Sequence, residues 1–125
     1  MSIEQNKALV VRFLDWWARG DLSALDETLA DDVVSHQPAG EFRGREVLKS
    51  RLAGHRDFFT DRKLVLHEMI AEGDRVAVRF TWSGLAKDHQ VELTNVSIYR
   101  IADGRIAEEW EEYNTASLAQ QSQAS

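Results

Sequence analysis

The stretch "KLVLHEMIAEGDRVAVRFTWSGL", residues 63–85, decides the fold. It contains two alternating runs joined around Glu72-Gly73-Asp74, a strong hairpin signal. Downstream, "HQVELTNVSIYRIADGRIAEEWEEYN", residues 89–114, repeats the device with Asp103-Gly104 at the turn. The second half of the chain therefore predicts four long strands in two hairpins. Upstream the period changes. Leu9, Val10, Phe13, Trp16 and Trp17 recur at three- and four-residue steps, which predicts an amphipathic helix ending before Gly20. A second, short helix is expected in "DLSALDETLA", with Asp21 as its cap and Leu22, Leu25 and Leu29 at helical spacing. "DDVVSHQPAG" reads as a short strand stopped by Pro38 and Gly40. "GREVLKSRLAGHRDFF" returns to helical spacing through Val47, Leu48, Leu52 and Phe58 or Phe59, weakened near its end by Gly54.

Three helices followed by an antiparallel sheet predict an α+β fold rather than a doubly wound parallel one, with one face of the sheet under the helices. The segment after Asn114 is polar and small, and it is expected to fray or fold loosely. The domain is thus read as residues 1–116, with a polar tail over 117–125.

A chain of 125 residues is the size of one domain and buries roughly two-thirds of its unfolded surface. Its 43% hydrophobic and 29% charged residues are those of an ordinary globular protein. A net charge of -6 and no basic cluster argue against nucleic acid or an anionic membrane as partner. No run approaches the ~20 apolar residues of a membrane span, and the N-terminus lacks the pattern of a signal peptide, so the expected location is cytoplasmic. The absence of cysteine removes disulfides, thiolate metal sites and a cysteine nucleophile.

What remains is acid/base chemistry. There is no Gly-x-Ser-x-Gly turn or phosphate-cradling glycine loop, and His36, His55, His67 and His89 show no metal-ligand spacing. On the strand "VELTNVSIYRI", Val91, Leu93, Asn95, Ser97, Tyr99 and Ile101 share one face. Asn95 and Ser97 among apolar neighbours indicate either a cavity with hydrogen-bonding groups or a sheet edge left in water. In "EEWEEYN", residues 108–114, alternation puts Glu109, Glu111 and Tyr113 on one face and Glu108, Trp110 and Glu112 on the other. If Glu109 and Glu111 share a cavity, repulsion and desolvation raise a carboxyl pKa and create a general acid/base; the alternative is a solvated rim. His36, at a strand end before Gln37-Pro38, is a second proton-exchange candidate, unless it is a structural donor.

The order of these elements, with "LADDVVSHQPAGEFRGREVLKS", "IAEGDRVAVRFTWSG" and "VSIYRIADGRIAEEWEEYN", resembles the SnoaL-like polyketide cyclases of the nuclear-transport-factor-2-like superfamily. The resemblance covers residues 5–116. It implies a strongly curved antiparallel or mixed sheet, helices enclosing a largely apolar conical pocket, often a homodimer through the sheet, and no metal or organic cofactor. In the cyclases an aspartate directly after the last strand's tryptophan is the general acid/base. The matching position here is Glu111, longer by one methylene. His36 falls where the family has a pocket histidine before a proline, and Gln37 stands near the place of the basic aspartate of ketosteroid isomerase, which weakens an isomerase mechanism. The resemblance thus implies a small apolar or aromatic ligand, with Glu111 and His36 catalytic. Trp16, Trp17, Phe58 and Trp82 would form apolar walls, and Asn95, Ser97, Glu109 and Tyr113 would be polar contacts. Fold resemblance leaves the chemistry open among a cyclase, an isomerase, dehydratase or epoxide hydrolase of the same fold, and a noncatalytic binding or dimerisation module.

Overall fold

The computed structural model describes residues 2–123. Its elements are α1 (Ile3–Leu14), α2 (Trp16–Arg19), α3 (Ser23–Thr28), β1 (Leu29–Gln37), β2 (Gly40–Arg43), α4 (Arg45–Phe58), β3 (Thr60–Glu72), β4 (Arg75–Ala86), β5 (His89–Ala102), β6 (Arg105–Glu112) and α5 (Thr115–Gln123). The fold is α+β, with the N-terminal helices packed on a six-stranded open sheet in the order β2-β1-β6-β5-β4-β3. β3 to β6 form an antiparallel meander, while β1 joins β6 in parallel and pairs with β2 in a short hairpin. The short edge hairpin was invisible to periodicity because β2 is only four residues long.

Turn chemistry explains the meander. Asp103 and Gly104, between β5 and β6, both have positive φ (52° and 74°), the geometry that Asp-Gly accepts and right-twisted hairpins favour. The inner face of β5 carries Val91, Leu93, Asn95, Ser97, Tyr99 and Ile101, all buried, as alternation predicts. On β6 a bulge intervenes: Arg100 pairs with Glu108 but Ile101 pairs with Ile106, leaving Ala107 as the extra residue. That one residue lets Ile106 and Glu109 both face inward although they are three apart.

α1 begins at a capping box between Ser2 and Gln5 and buries Leu9, Val10, Phe13 and Leu14. The expected single helix through Trp17 is interrupted at Asp15, and the break lets adjacent tryptophans both bury, with ring centroids 5.6 Å apart. Trp17 Nε1 donates to the backbone oxygens of Lys63 (3.1 Å) and Ser83 (3.2 Å), fixing α2 to the β3–β4 hairpin. Arg62 donates to the carbonyls of Trp17 (2.9 Å) and Phe59 (3.0 Å), satisfying the open ends of α2 and α4 with one cation.

The segment expected to be a loose tail is instead α5, apart from Ala124 and Ser125, which lie outside the described residues. β6 pairs with β5 only from Val96 onward, so the backbone of Glu92 is open on that side. The Gln121 side chain fills the gap: its Oε1 accepts from Glu92 N (2.8 Å) and its Nε2 donates to Glu92 O (2.9 Å). A single amide thus substitutes for a strand partner and lays α5 against the sheet. Among the described residues no helix is long and apolar enough to cross a membrane.

Candidate functional site

A cavity of about 420 Å³ opens between the inner face of the sheet and helices α1, α2, α4 and α5. Its volume is in the range that holds small organic ligands. One end is aromatic. Trp17 packs against His55 (5.2 Å), Trp82 (5.2 Å) and Phe59 (5.8 Å), and Trp16, Phe58, Phe80 and Leu64 extend this wall. His55 is enclosed by these rings, and burial together with the Arg51 charge lowers its pKa to about 4. At neutral pH it is an uncharged imidazole.

The other end is polar, and β6 supplies its carboxylates. Glu109 is 2% exposed; its Oε1 accepts from Ser35 Oγ at 2.7 Å, and its Oε2 has no partner among the described residues. Burial raises its pKa to about 7, against the lowering effects of the Ser35 hydrogen bond and the His36 charge. Glu111 also lines the cavity and is half-buried. Burial, and then the charge of Glu109, push its pKa well above the usual carboxylate range, while Arg51 opposes the shift. Tyr99, fully buried on the neighbouring strand opposite Glu109, has a phenol without a partner among the described residues and a pKa raised by burial and by both glutamates. Asn95 Oδ1 is likewise buried and unpartnered among the described residues. These groups could accept or donate hydrogen bonds to a polar ligand atom.

Of the residues singled out from sequence, Trp16, Trp17, Phe58, Trp82, Asn95, Glu109, Glu111 and Tyr113 line this cavity. Ser97 is buried opposite Glu111 but does not line the cavity. His36 requires a correction, since it lies on the other face of the sheet. Alternation along β1 turns Val33 and Ser35 inward and His36 outward, in register with Trp110. There its Nε2 donates to Glu108 Oε2 (2.7 Å), its Nδ1 lies 3.3 Å from Glu41 Oε1, and its ring stacks on Trp110 at 5.4 Å. A side chain so engaged on the outer surface has no access to the cavity.

The polar and titratable cavity residues Gln37, Arg51, His55 and Tyr99 lie outside the set expected from sequence. Signals for them existed. Gln37 alternates with the inward Val33 and Ser35, and Arg51 and His55 sit three and seven residues after buried Leu48, on the helix face that packs inward. Among the described residues no three His, Asp or Glu side chains converge in a metal-binding group.

This combination of fold and cavity has relatives. The chain matches the family model for the SnoaL-like domain over residues 10–109. It superposes on TsrD from Streptomyces laurentii with a TM-score of 0.87 at 25% identity, covering 100% of this chain and 99% of that one. Wild-type IdmH from Streptomyces antibioticus, whose assignment as a polyketide cyclase is provisional, aligns with a TM-score of 0.82 at 26% identity, covering 94% and 97% of the two chains. AclR from Streptomyces galilaeus, provisionally assigned as a hydroxylase, aligns with a TM-score of 0.84 at 25% identity, covering 99% and 100%. No curated protein matches in sequence. With the family match spanning most of its length, the chain belongs to the SnoaL-like family.

Proposed function

We propose that this protein is an enzyme of the polyketide-cyclase type, using carboxylate general acid/base chemistry on a small, largely apolar, oxygen-bearing molecule. The observation that carries the proposal is the pairing of Glu109 and Glu111 in one aromatic-walled cavity, each with a raised pKa, that of Glu109 at about 7. Two interacting carboxyls of this kind exchange protons near neutral pH as a unit. One removes a proton α to a substrate carbonyl while the other, protonated, returns one. Tyr99, Tyr113 or Asn95 stabilises the developing enolate oxygen through a hydrogen bond. An enolate held against a second carbonyl in the same cavity closes a ring by an aldol-type step. Glu111 occupies the position of the family aspartate, and Glu109 joins it as its partner in proton exchange.

The test uses 1-phenyl-1,3-butanedione, an aromatic and readily enolised diketone, and follows exchange of its α-hydrogens in deuterated water by NMR. The protein should accelerate exchange, and Glu111→Gln should abolish most of that acceleration while tryptophan-fluorescence binding persists. Binding without acceleration would identify a ligand-binding module instead.

The outer face of the sheet supports a homodimer. Ile70, Val96 and Ile98 are 68%, 50% and 40% exposed there, and they are flanked by charges of both signs, Arg79 with Glu68 and Arg100 with Glu108. A second copy brings the same apolar strip and can match both signs, as a two-fold interface requires. Sedimentation of Ile98→Asp, against a dimeric parent, tests this.

A further inference from the structure

Four side chains from three elements form one continuous chain of hydrogen bonds from the protein surface to the buried carboxyl of Glu109. Arg51 Nε, on α4, donates to Gln37 Oε1 at 3.2 Å. Gln37 Nε2, on β1, donates to Ser35 Oγ at 2.8 Å. Ser35 Oγ, fully buried, donates to Glu109 Oε1 at 2.7 Å. The guanidinium at the outer end is held over the ring of Phe42, 4.3 Å from its centroid.

The direction of this chain is fixed from one end. Arginine has donors and no acceptor, so the Gln37 oxygen must face Arg51 and the Gln37 NH2 must face Ser35. Ser35 Oγ accepts from Gln37 and directs its O–H to Glu109 Oε1. With the serine proton on this bond, Oε1 of Glu109 is an acceptor, and a carboxyl proton placed there would displace the Ser35 donation. The proton goes to Oε2, the oxygen that has no partner among the described residues.

We propose that Ser35, Gln37 and Arg51 are positioning residues that fix Glu109 as a directed acid/base, with Oε1 tethered and Oε2 as the oxygen that exchanges the proton in the cavity. The consequence for turnover rests on the acid/base reading given above; the orientation itself does not. Every donor in the chain favours the ionised carboxyl, offsetting part of the burial that disfavours it. Other charged or titratable groups surround Glu109: Tyr99 from β5, Glu111 from its own strand, His55 and Arg51 from α4 across the shared cavity, and His36 of β1, whose charge acts through the sheet from the outer face. α1 contributes only apolar Phe13 and Leu14 to the shared cavity.

The experiment is a carbon-13 NMR titration of the glutamate carboxyls, with Glu109 assigned by loss of its signal in Glu109→Gln. It needs no substrate. Ser35→Ala should move the Glu109 titration upward by about one unit, the effect of losing a hydrogen bond to a charged group. Ser35→Thr, which keeps the hydroxyl, should return it toward the parent value. Gln37→Leu should shift it in the same direction by less, and should add nothing in the Ser35→Ala background, because the chain is already cut. A residue that merely supported the fold would change thermal stability and leave the titration in place. An unmoved Glu109 titration in Ser35→Ala, or an equal Gln37→Leu shift with and without Ser35, overturns the proposal. If Ser35→Ala does not fold, the Gln37→Leu titration decides alone, its expected upward shift sustaining the proposal and an unmoved value overturning it. Shifts as expected without accelerated α-proton exchange in the parent would retain this assignment and remove the catalytic reading; the opposite pair of results would do the reverse.

Discussion

Glu108 and Glu109 are neighbours on one strand, yet their carboxyls sit in opposite electrostatic surroundings. On the outer face Glu108 accepts from His36 (2.7 Å) and Arg100 (3.3 Å), and the His36 hydrogen bond, ahead of the Arg100 contacts, lowers its pKa. On the inner face Glu109 has one neutral donor and no cation in contact, and burial lifts its pKa to about 7. The same side chain, displaced by one residue, is a permanent anion on one side and a proton carrier on the other. What differs is access to water and to cations, and alternation of the strand decides which face each receives.

The largest break in this comparison is expected in turnover. Glu111→Gln and Glu109→Gln should each reduce α-proton exchange of the diketone by ~10²-fold or more, the usual weight of a general acid/base. Glu108→Gln, on the other face, should change it by less than about threefold, because its carboxyl touches no cavity group.

Stability should separate the faces next. The Glu109 pKa rises on folding from 4.5 to about 7, so the unfolded chain releases this proton first as pH increases. Its contribution is therefore most favourable below pH 4.5 and is lost progressively as pH rises to about 7. At about 1.4 kcal/mol per unit the loss approaches about 3 kcal/mol. Glu109→Gln should recover stability of that order at pH 8 and none at pH 4, as read by urea denaturation.

His55 has the opposite slope. Its pKa falls on folding from 6.5 to about 4, so the unfolded chain takes up the proton first on acidification. That contribution is fully present above pH 6.5 and is lost as pH falls toward 4. His55→Phe should flatten the acid side of the stability profile by on the order of 2 kcal/mol. Between pH 4.5 and 6.5 the two groups oppose each other in the parent, and only the single variants expose each slope.

The smallest effect on folding is expected from the outer strip. Ile98 is 40% exposed, and Ile98→Asp should shift monomer stability by within about 0.5 kcal/mol while shifting a dimer toward monomer in sedimentation.

The division of faces was legible in the residues themselves. Period-two patterning separated Asn95, Ser97 and Tyr99 from Val96 and Ile98, and Asp-Gly marked the turn that starts β6. The inner placement of Glu109 and Glu111 also follows from alternation, since the bulge at Ala107 precedes them and leaves their parity intact. Family position points His36 toward the pocket, whereas the alternation of its own strand, which turns Ser35 and Gln37 inward, sets it on the outer face. The helical tail could not be read, because a short polar segment is marginal alone and α5 depends on Leu118 meeting the cavity and Gln121 meeting an open strand edge. The break at Asp15 and the chain from Arg51 to Glu109 are likewise tertiary. They arise where distant segments meet, and no local pattern encodes a hydrogen bond across 74 residues.

The central claim is that the inner glutamates hold a proton at neutral pH while the outer one does not. The most direct measurement is a site-resolved carbon-13 titration of Glu108, Glu109 and Glu111 in the unmodified protein. The account predicts that Glu109 titrates near pH 7, Glu111 well above the ordinary carboxylate range, and Glu108 below it. Titration of all three together near the ordinary value of 4.5 would contradict it.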